Sequence, residues 1–133
     1  KVHKFMKLKK CNIINIGSIY GLMSPDFRVY GKNSSYNSEI YGATKASVIQ
    51  LTKYYSVILS PFNISVNCLS PGGLYNNQKP QKSSFIKKYS LRVPKARMAN
   101  TEDLYTGILF LASSKSDYVS GQNIIIDGGL SSW

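Results

Sequence analysis

Three short β-rich runs punctuate this chain: CNIINIGS at 11–18, ISVNCL at 64–69 and QNIIID at 122–127, with helical patterns between them. That alternation constrains the fold more than any other feature. Strands joined by crossover helices argue a layered α/β domain with a parallel sheet and right-handed connections. The first separator predicts a helix over 39–60, with Ser38 placed to cap it, Glu39 in its first turn and Pro61 ending it. In register with Tyr41, its stripe reads Lys45, Val48, Thr52, Tyr55 and Leu59. Apolar residues also occupy the opposite side, which predicts burial on both, against a sheet and against a second subunit. A second helix is expected over 101–113, with Glu102 and Asp103 in its first turn, where the helix dipole favours acids, and a stripe of Leu104, Ile108, Leu111 and Ala112.

The other segments are less regular. Residues 1–9 place Val2, Phe5, Met6 and Leu8 among lysines, as the tail of an amphipathic helix would. Residues 19–38 read as a turn-rich loop or insertion. Residues 74–98 are basic and irregular, with a short amphipathic piece around Phe85, Ile86, Tyr89 and Leu91. Three strands make a thin sheet, and buried parallel strands usually have more neighbours. The expectation is one partial domain, 1–133, whose sheet continues upstream.

Composition narrows the partners. At 133 residues and 43% hydrophobic, the chain can bury the core of one domain. Its apolar runs fall far short of the roughly 20 residues a membrane span needs, and no apolar stretch follows the basic start as in a signal peptide. The net charge of +11 comes from 17 Lys+Arg against 6 Asp+Glu, but only Arg28, Arg92 and Arg97 are arginines, and the lysines are scattered. No nucleic-acid reading module accompanies that charge, so the expected partner is a phosphorylated or nucleotide-linked small molecule. Cys11 and Cys68 have no metal-ligand spacing and His3 has no histidine partner, so no metal is expected. Cysteines inside apolar runs suit a reduced, cytoplasmic setting.

Tyr41 and Lys45 carry the chemical interest. Positions four apart lie on one helix face. Such a pair arises by chance on many helices, and by itself it reads more readily as a structural neighbour pair. An inward lysine with no acid on its stripe is costly, however, unless its charge is used. A cation beside a phenol favours the phenolate, and Ser18, at the end of a strand, could hydrogen-bond a carbonyl or alcohol oxygen.

The surroundings of the pair sharpen this. In chain order, IINIGSIYG, YGATK, ISVNCLSPGG and YVSGQNIIIDGG resemble the motifs of the short-chain dehydrogenase/reductase family, across essentially all 133 residues. The resemblance implies the C-terminal portion of a Rossmann-like doubly wound sheet and NAD(P)-dependent hydride transfer between nicotinamide and a carbonyl or alcohol. Tyr41 would be the general acid/base. Lys45 would ease its proton transfer and bond the nicotinamide ribose, and Ser18 would orient the substrate oxygen. Pro71, Gly72 and Gly73 would pass the nicotinamide, with the Leu74 backbone meeting its carboxamide. Asn76 stands where many relatives carry a threonine near the cofactor.

The departures are as informative. The family's Gly-rich TGxxxGxG loop, the residue that selects NAD or NADP and the Asn-Ala-Gly segment do not occur in this sequence. Without them the chain alone is expected to hold the nucleotide poorly. The long 19–38 segment and the lid text KKYSLRVPKARMANTED look most like bacterial members linked to flagellin or surface-polysaccharide sugar modification. The resemblance further implies a homodimer or homotetramer, a small and sugar-like substrate, and no nucleic-acid or membrane partner. A reading from another class is a truncated, non-catalytic oligomerisation module. The basic lid (Lys79, Lys82, Lys87, Lys88, Arg92, Lys95 and Arg97) suits a phosphorylated or nucleotide-activated sugar as well as it suits a solvated face.

Overall fold

The computed structural model describes residues 10–31 and 36–133, so the expected helix tail at 1–9 lies outside the described residues. Three strands, β1 (Cys11–Ile16), β2 (Ile64–Pro71) and β3 (Asn123–Ile126), form a parallel sheet in the order β1-β2-β3. Cys11 pairs with Ile64 and Ile16 with Leu69, while Cys68 pairs with Asn123 and Pro71 with Ile126. The helices are α1 (Glu39–Leu59), α2 (Ser83–Ser90) and α3 (Tyr105–Ala112). This is the expected α/β class. β2 runs two residues beyond the expected end, to Pro71, and the expected second helix opens as a 3-10 turn over Thr101–Leu104.

Local chemistry sets the ends of α1. Ser38 accepts from the Ile40 N–H at 3.1 Å, and Pro61 falls in a 3-10 turn (Ser60–Phe62) that closes the helix. Asn63, at φ 59°, then reverses the chain into β2, a left-handed conformation that asparagine tolerates. The inward stripe is rotated from the expected one. Ile49 and Thr52 are buried, with Lys45, Val48, Ser56 and Leu59 half-buried, while Tyr55 is exposed. The sheet covers one side only, and Leu51, Tyr54, Val57 and Ile58 lie open on the other.

Helices α1 and α3 cover opposite faces of the sheet. Side chains alternate along a strand. Asn15 donates to Thr52 Oγ1 of α1 at 2.9 Å, whereas Asn12, of opposite parity, donates to the Ala112 carbonyl of α3 at 3.1 Å. Gly107 of α3 lies against Leu69 and Ile126, so close that a Cβ there would sit 2.5 Å from Ile126 Cδ1. Yet the strands step in one direction across the sheet. The two crossovers therefore have opposite hands, and right-handedness does not hold for both.

β2 is the centre of the molecule. All eight of its residues are buried, and Ser65, Asn67 and Ser70 among them are polar. Each finds a partner in the segment leading into β3. Asn67 donates to the Val119 carbonyl at 2.7 Å and accepts from the Gln122 N–H at 3.0 Å, and Ser70 donates to Asn123 Oδ1 at 2.7 Å. Asn67→Leu keeps the volume but leaves the Gln122 N–H and the Val119 carbonyl without their Asn67 partner. It should cost about 2–6 kcal/mol, since each of the two unmade bonds costs about 1–3. Denaturant unfolding would read this as a lowered midpoint.

Candidate active site

The carboxyl ends of β1 and β2 and the first turns of α1 converge on one cleft of about 650 Å³. Ser18, Tyr41, Lys45, Pro71, Gly72, Gly73 and Leu74 all line it, so seven of the eight residues expected from sequence share one wall system. Asn76 does not. It is exposed, and its Oδ1 accepts from the Gln78 and Lys79 N–H groups at 3.0 Å each, turned back onto its own loop.

Ser18 is 7% exposed and ends the strand by capping a 3-10 turn, Ile19–Gly21. Its Oγ accepts from the Tyr20 N–H at 3.1 Å, which orients the oxygen and leaves the hydroxyl proton to donate. Lys45 Nζ donates to the Ile16 carbonyl at 2.9 Å and stands 5.8 Å from the Tyr41 ring centroid. Its charge, for which its stripe of α1 offers no acid, is thus met by a carbonyl at the end of β1. Tyr41 itself is 41% exposed and lines the cleft.

Two glycines bring these groups together. A Cβ on Gly21 would lie 2.7 Å from the Lys45 carbonyl carbon and 2.8 Å from the Ala46 nitrogen, and one on Gly42 would lie 2.9 Å from the Tyr20 carbonyl oxygen. The turn after Ser18 therefore lies directly on the α1 backbone at the lysine. The glycines of SIYG and YGATK carried this signal in the sequence, as sites of close backbone approach.

The other wall is aromatic. Tyr30 and Phe85 meet at 5.4 Å between centroids, and Phe85 stacks on Tyr89 at 5.7 Å, joining the 19–38 segment to α2. Burial, with Tyr30 and Tyr89 close by, pushes the Tyr20 phenol up, and burial likewise pushes up that of Tyr89. Both serve as neutral hydrogen-bonding groups. The Tyr89 hydroxyl accepts from the Gly73 N–H at 2.6 Å and so ties α2 to the Pro-Gly-Gly turn. Sequence reasoning placed Tyr89 on an amphipathic piece and missed this anchor.

The basic lid is less available than its charge suggests. Arg92 pairs with Asp26, Arg97 pairs with Asp103 at 2.6 Å, and Lys88 Nζ donates to the Arg28 carbonyl at 3.4 Å. Of the seven lid cations, Lys82 lines the cleft. Asp26 is the hinge of this network, also bound by Arg28 Nε at 2.8 Å. Among the described residues no group of histidines, cysteines and acids could hold a metal, and no helix is long and apolar enough to cross a membrane.

Comparison with known proteins defines the class. The family model described as enoyl-(acyl carrier protein) reductase matches residues 1–131, and the chain belongs to the short-chain dehydrogenase/reductase family. It is 34% identical over 125 residues to the post-translational flagellin modification protein A of Campylobacter coli, covering 94% of this chain and 48% of that protein. It is 36% identical over 126 residues to a 3-oxoacyl-(acyl-carrier-protein) reductase of Thermotoga maritima, covering 94% and 47%. A Leptospira borgpetersenii short-chain dehydrogenase, solved with bound NAD+, superposes with a TM-score of 0.85 at 46% identity, covering 96% of this chain and 48% of that one. A Burkholderia cenocepacia gluconate 5-dehydrogenase, solved with NADP and tartrate, superposes at 0.81 and 29% identity, covering 99% and 49%. The chain thus spans about half the length of the relatives it matches.

Gly21→Ala should lower stability by about 1–3 kcal/mol, because the added methyl meets helix backbone that cannot swing aside; thermal melts check this. Asp26 gives a pH signature. Hydrogen bonds from Arg28 hold its carboxyl at about 2, below the ordinary 3.8. A depressed folded-state value stabilises the fold above the ordinary carboxylate value, and that contribution fades as pH falls from about 4 to about 2. Asp26→Asn should therefore melt lower than wild type at pH 6, with the gap closing by pH 2.

Proposed function

We propose that this chain forms the catalytic and substrate-side portion of an NAD(P)-dependent oxidoreductase, a single partial domain that acts with a nucleotide-binding half beyond residues 1–133. The observation that carries the reading is the meeting of Ser18, Tyr41, Lys45 and the Pro71–Leu74 turn around one cleft. That donor set fits the nicotinamide end of a dinucleotide: an ammonium for ribose hydroxyls, and backbone groups of Leu74 for a carboxamide. Bound there, the nicotinamide would supply or accept the hydride. Tyr41 would hand its phenolic proton to a carbonyl oxygen, or take the proton of an alcohol in the reverse direction. Lys45, held by the Ile16 carbonyl, stabilises the charge that develops on the phenol oxygen. Ser18 donates its hydroxyl proton to the substrate oxygen and fixes its direction.

The substrate we favour is a sugar or nucleotide-sugar intermediate. The aromatic wall of Tyr30, Phe85 and Tyr89 and the single lid cation Lys82 support it, as does the likeness to a flagellin modification protein. The exposed apolar residues Leu51, Tyr54, Val57 and Ile58 on α1, with Leu109 and Phe110 on α3, support a homodimer or homotetramer. The same exposed residues favour the second reading, an oligomerisation module without catalysis. A cytoplasmic location belongs to the same reading and accords with Cys68 packed as a small apolar thiol inside β2.

Tyr41→Phe in the full-length protein should lower kcat about 10²–10⁴-fold, the range for a lost general acid/base, while dinucleotide affinity stays within a few-fold. Steady-state kinetics with titration calorimetry read both. Turnover retained in that variant would remove Tyr41 from its role. A folded dimer showing no dinucleotide affinity would favour the oligomerisation module.

A further inference from the structure

Gln81, just before α2, grips the segment after the Pro-Gly-Gly turn at two points. Its Nε2 donates to the Leu74 carbonyl at 2.8 Å, and its Oε1 accepts from the Asn76 N–H at 3.3 Å. Gln81 is half-buried and lines the cleft beside Leu74. Asn76 contributes only its backbone here, since its side chain is spent on the N–H groups of Gln78 and Lys79.

We propose that Gln81 is a positioning residue for the nicotinamide carboxamide, acting by holding the Leu74 carbonyl in place. The inference rests on the reading that Leu74 meets the carboxamide. A carbonyl oxygen has two lone pairs, so the bond from Gln81 leaves one for the amide of the cofactor. A loop carbonyl left unclamped must be ordered at the moment of binding, and that ordering subtracts from affinity. Clamping both Leu74 and Asn76 through one side chain removes that cost. Because Gln81 opens the lid, the same amide seats the lid on the turn, reinforcing the Tyr89–Gly73 bond at the other end of α2. The polar contact that the sequence pattern assigns to position 76 is thus supplied five residues later, through a neighbouring carbonyl.

The test compares NAD(P) with ADP-ribose and its 2′-phosphate, which lack the nicotinamide, by calorimetry on the full-length protein. Gln81→Ala and Gln81→Glu should each weaken dinucleotide binding about tenfold, the equivalent of one lost hydrogen bond, and leave the ADP-ribose forms unchanged. Hydrogen exchange without nucleotide separates the two bonds. The Asn76 amide should exchange faster in Gln81→Ala but keep its protection in Gln81→Glu, which retains the acceptor. Unchanged dinucleotide affinity, tighter binding or an equal loss with ADP-ribose would overturn the inference. If wild type binds ADP-ribose as tightly as the dinucleotide, the Leu74 assignment fails and the inference with it. If wild type discriminates and the variants discriminate equally, only the role of Gln81 fails.

Discussion

The burial of β2 is the constraint on which the rest of the structure depends. A strand covered on both faces would ordinarily be a run of valine and isoleucine. Here Ser65, Asn67 and Ser70 interrupt it, and a buried polar group without a partner would cost more than the strand could bear. The segment from Asp117 to Asn123 supplies the partners: Ser65 reaches the Asp117 carbonyl at 3.4 Å, and Ser120 Oγ accepts from the Val66 N–H at 3.2 Å. Among the described residues no buried side-chain polar atom lacks a bond. These bonds place β3, and with it the end of β2 that becomes the Pro-Gly-Gly turn.

The cleft follows from that placement. In open α/β sheets ligands sit beyond the carboxyl ends of the strands. Ser18 and the 71–74 turn are such ends, adjacent because β1 and β2 pair directly. α1 crosses between the two strands and brings Tyr41 and Lys45 to the same rim, and Gly21 and Gly42 remove the bulk that would hold the Ser18 turn away from it. Opposite them, α2 is fastened by Tyr89 to the turn and by Tyr30–Phe85 and Asp26–Arg92 to the 19–38 segment. One wall is backbone and small polar groups; the other is aromatic.

Much of this was legible from residue order. The strand-helix alternation is a backbone-level property, and the cap at Ser38 is local chemistry, so the elements could be read with small errors at their ends. Spacing also brought Ser18, Tyr41 and Lys45 to notice before any contact was known. What escaped was long-range. Whether Lys45 would meet a carboxylate or a carbonyl depended on where β1 ended, and the Ile16 oxygen is 29 residues away in the chain. The lid's positive charge read as suiting a phosphorylated sugar or a solvated face alike, because Asp26, 66 residues from Arg92, showed no link to it in sequence. Asn76 turns back onto its own loop while Gln81, unremarked in the sequence, lines the cleft, because a loop's own turn geometry, rather than its distance from the motif, decides which side chain faces a cleft. A shared right hand for both crossovers was misread because the face on which each helix packs cannot be told from alternation alone.

The most direct test of the whole account is a structure of the full-length protein with bound NAD or NADP. The nicotinamide ring should lie in the cleft between Tyr41 and the Pro71–Leu74 turn, with Lys45 Nζ in hydrogen-bond reach of the adjoining ribose. A dinucleotide seated with that ring outside the cleft, or with Lys45 turned away from the ribose, would contradict it.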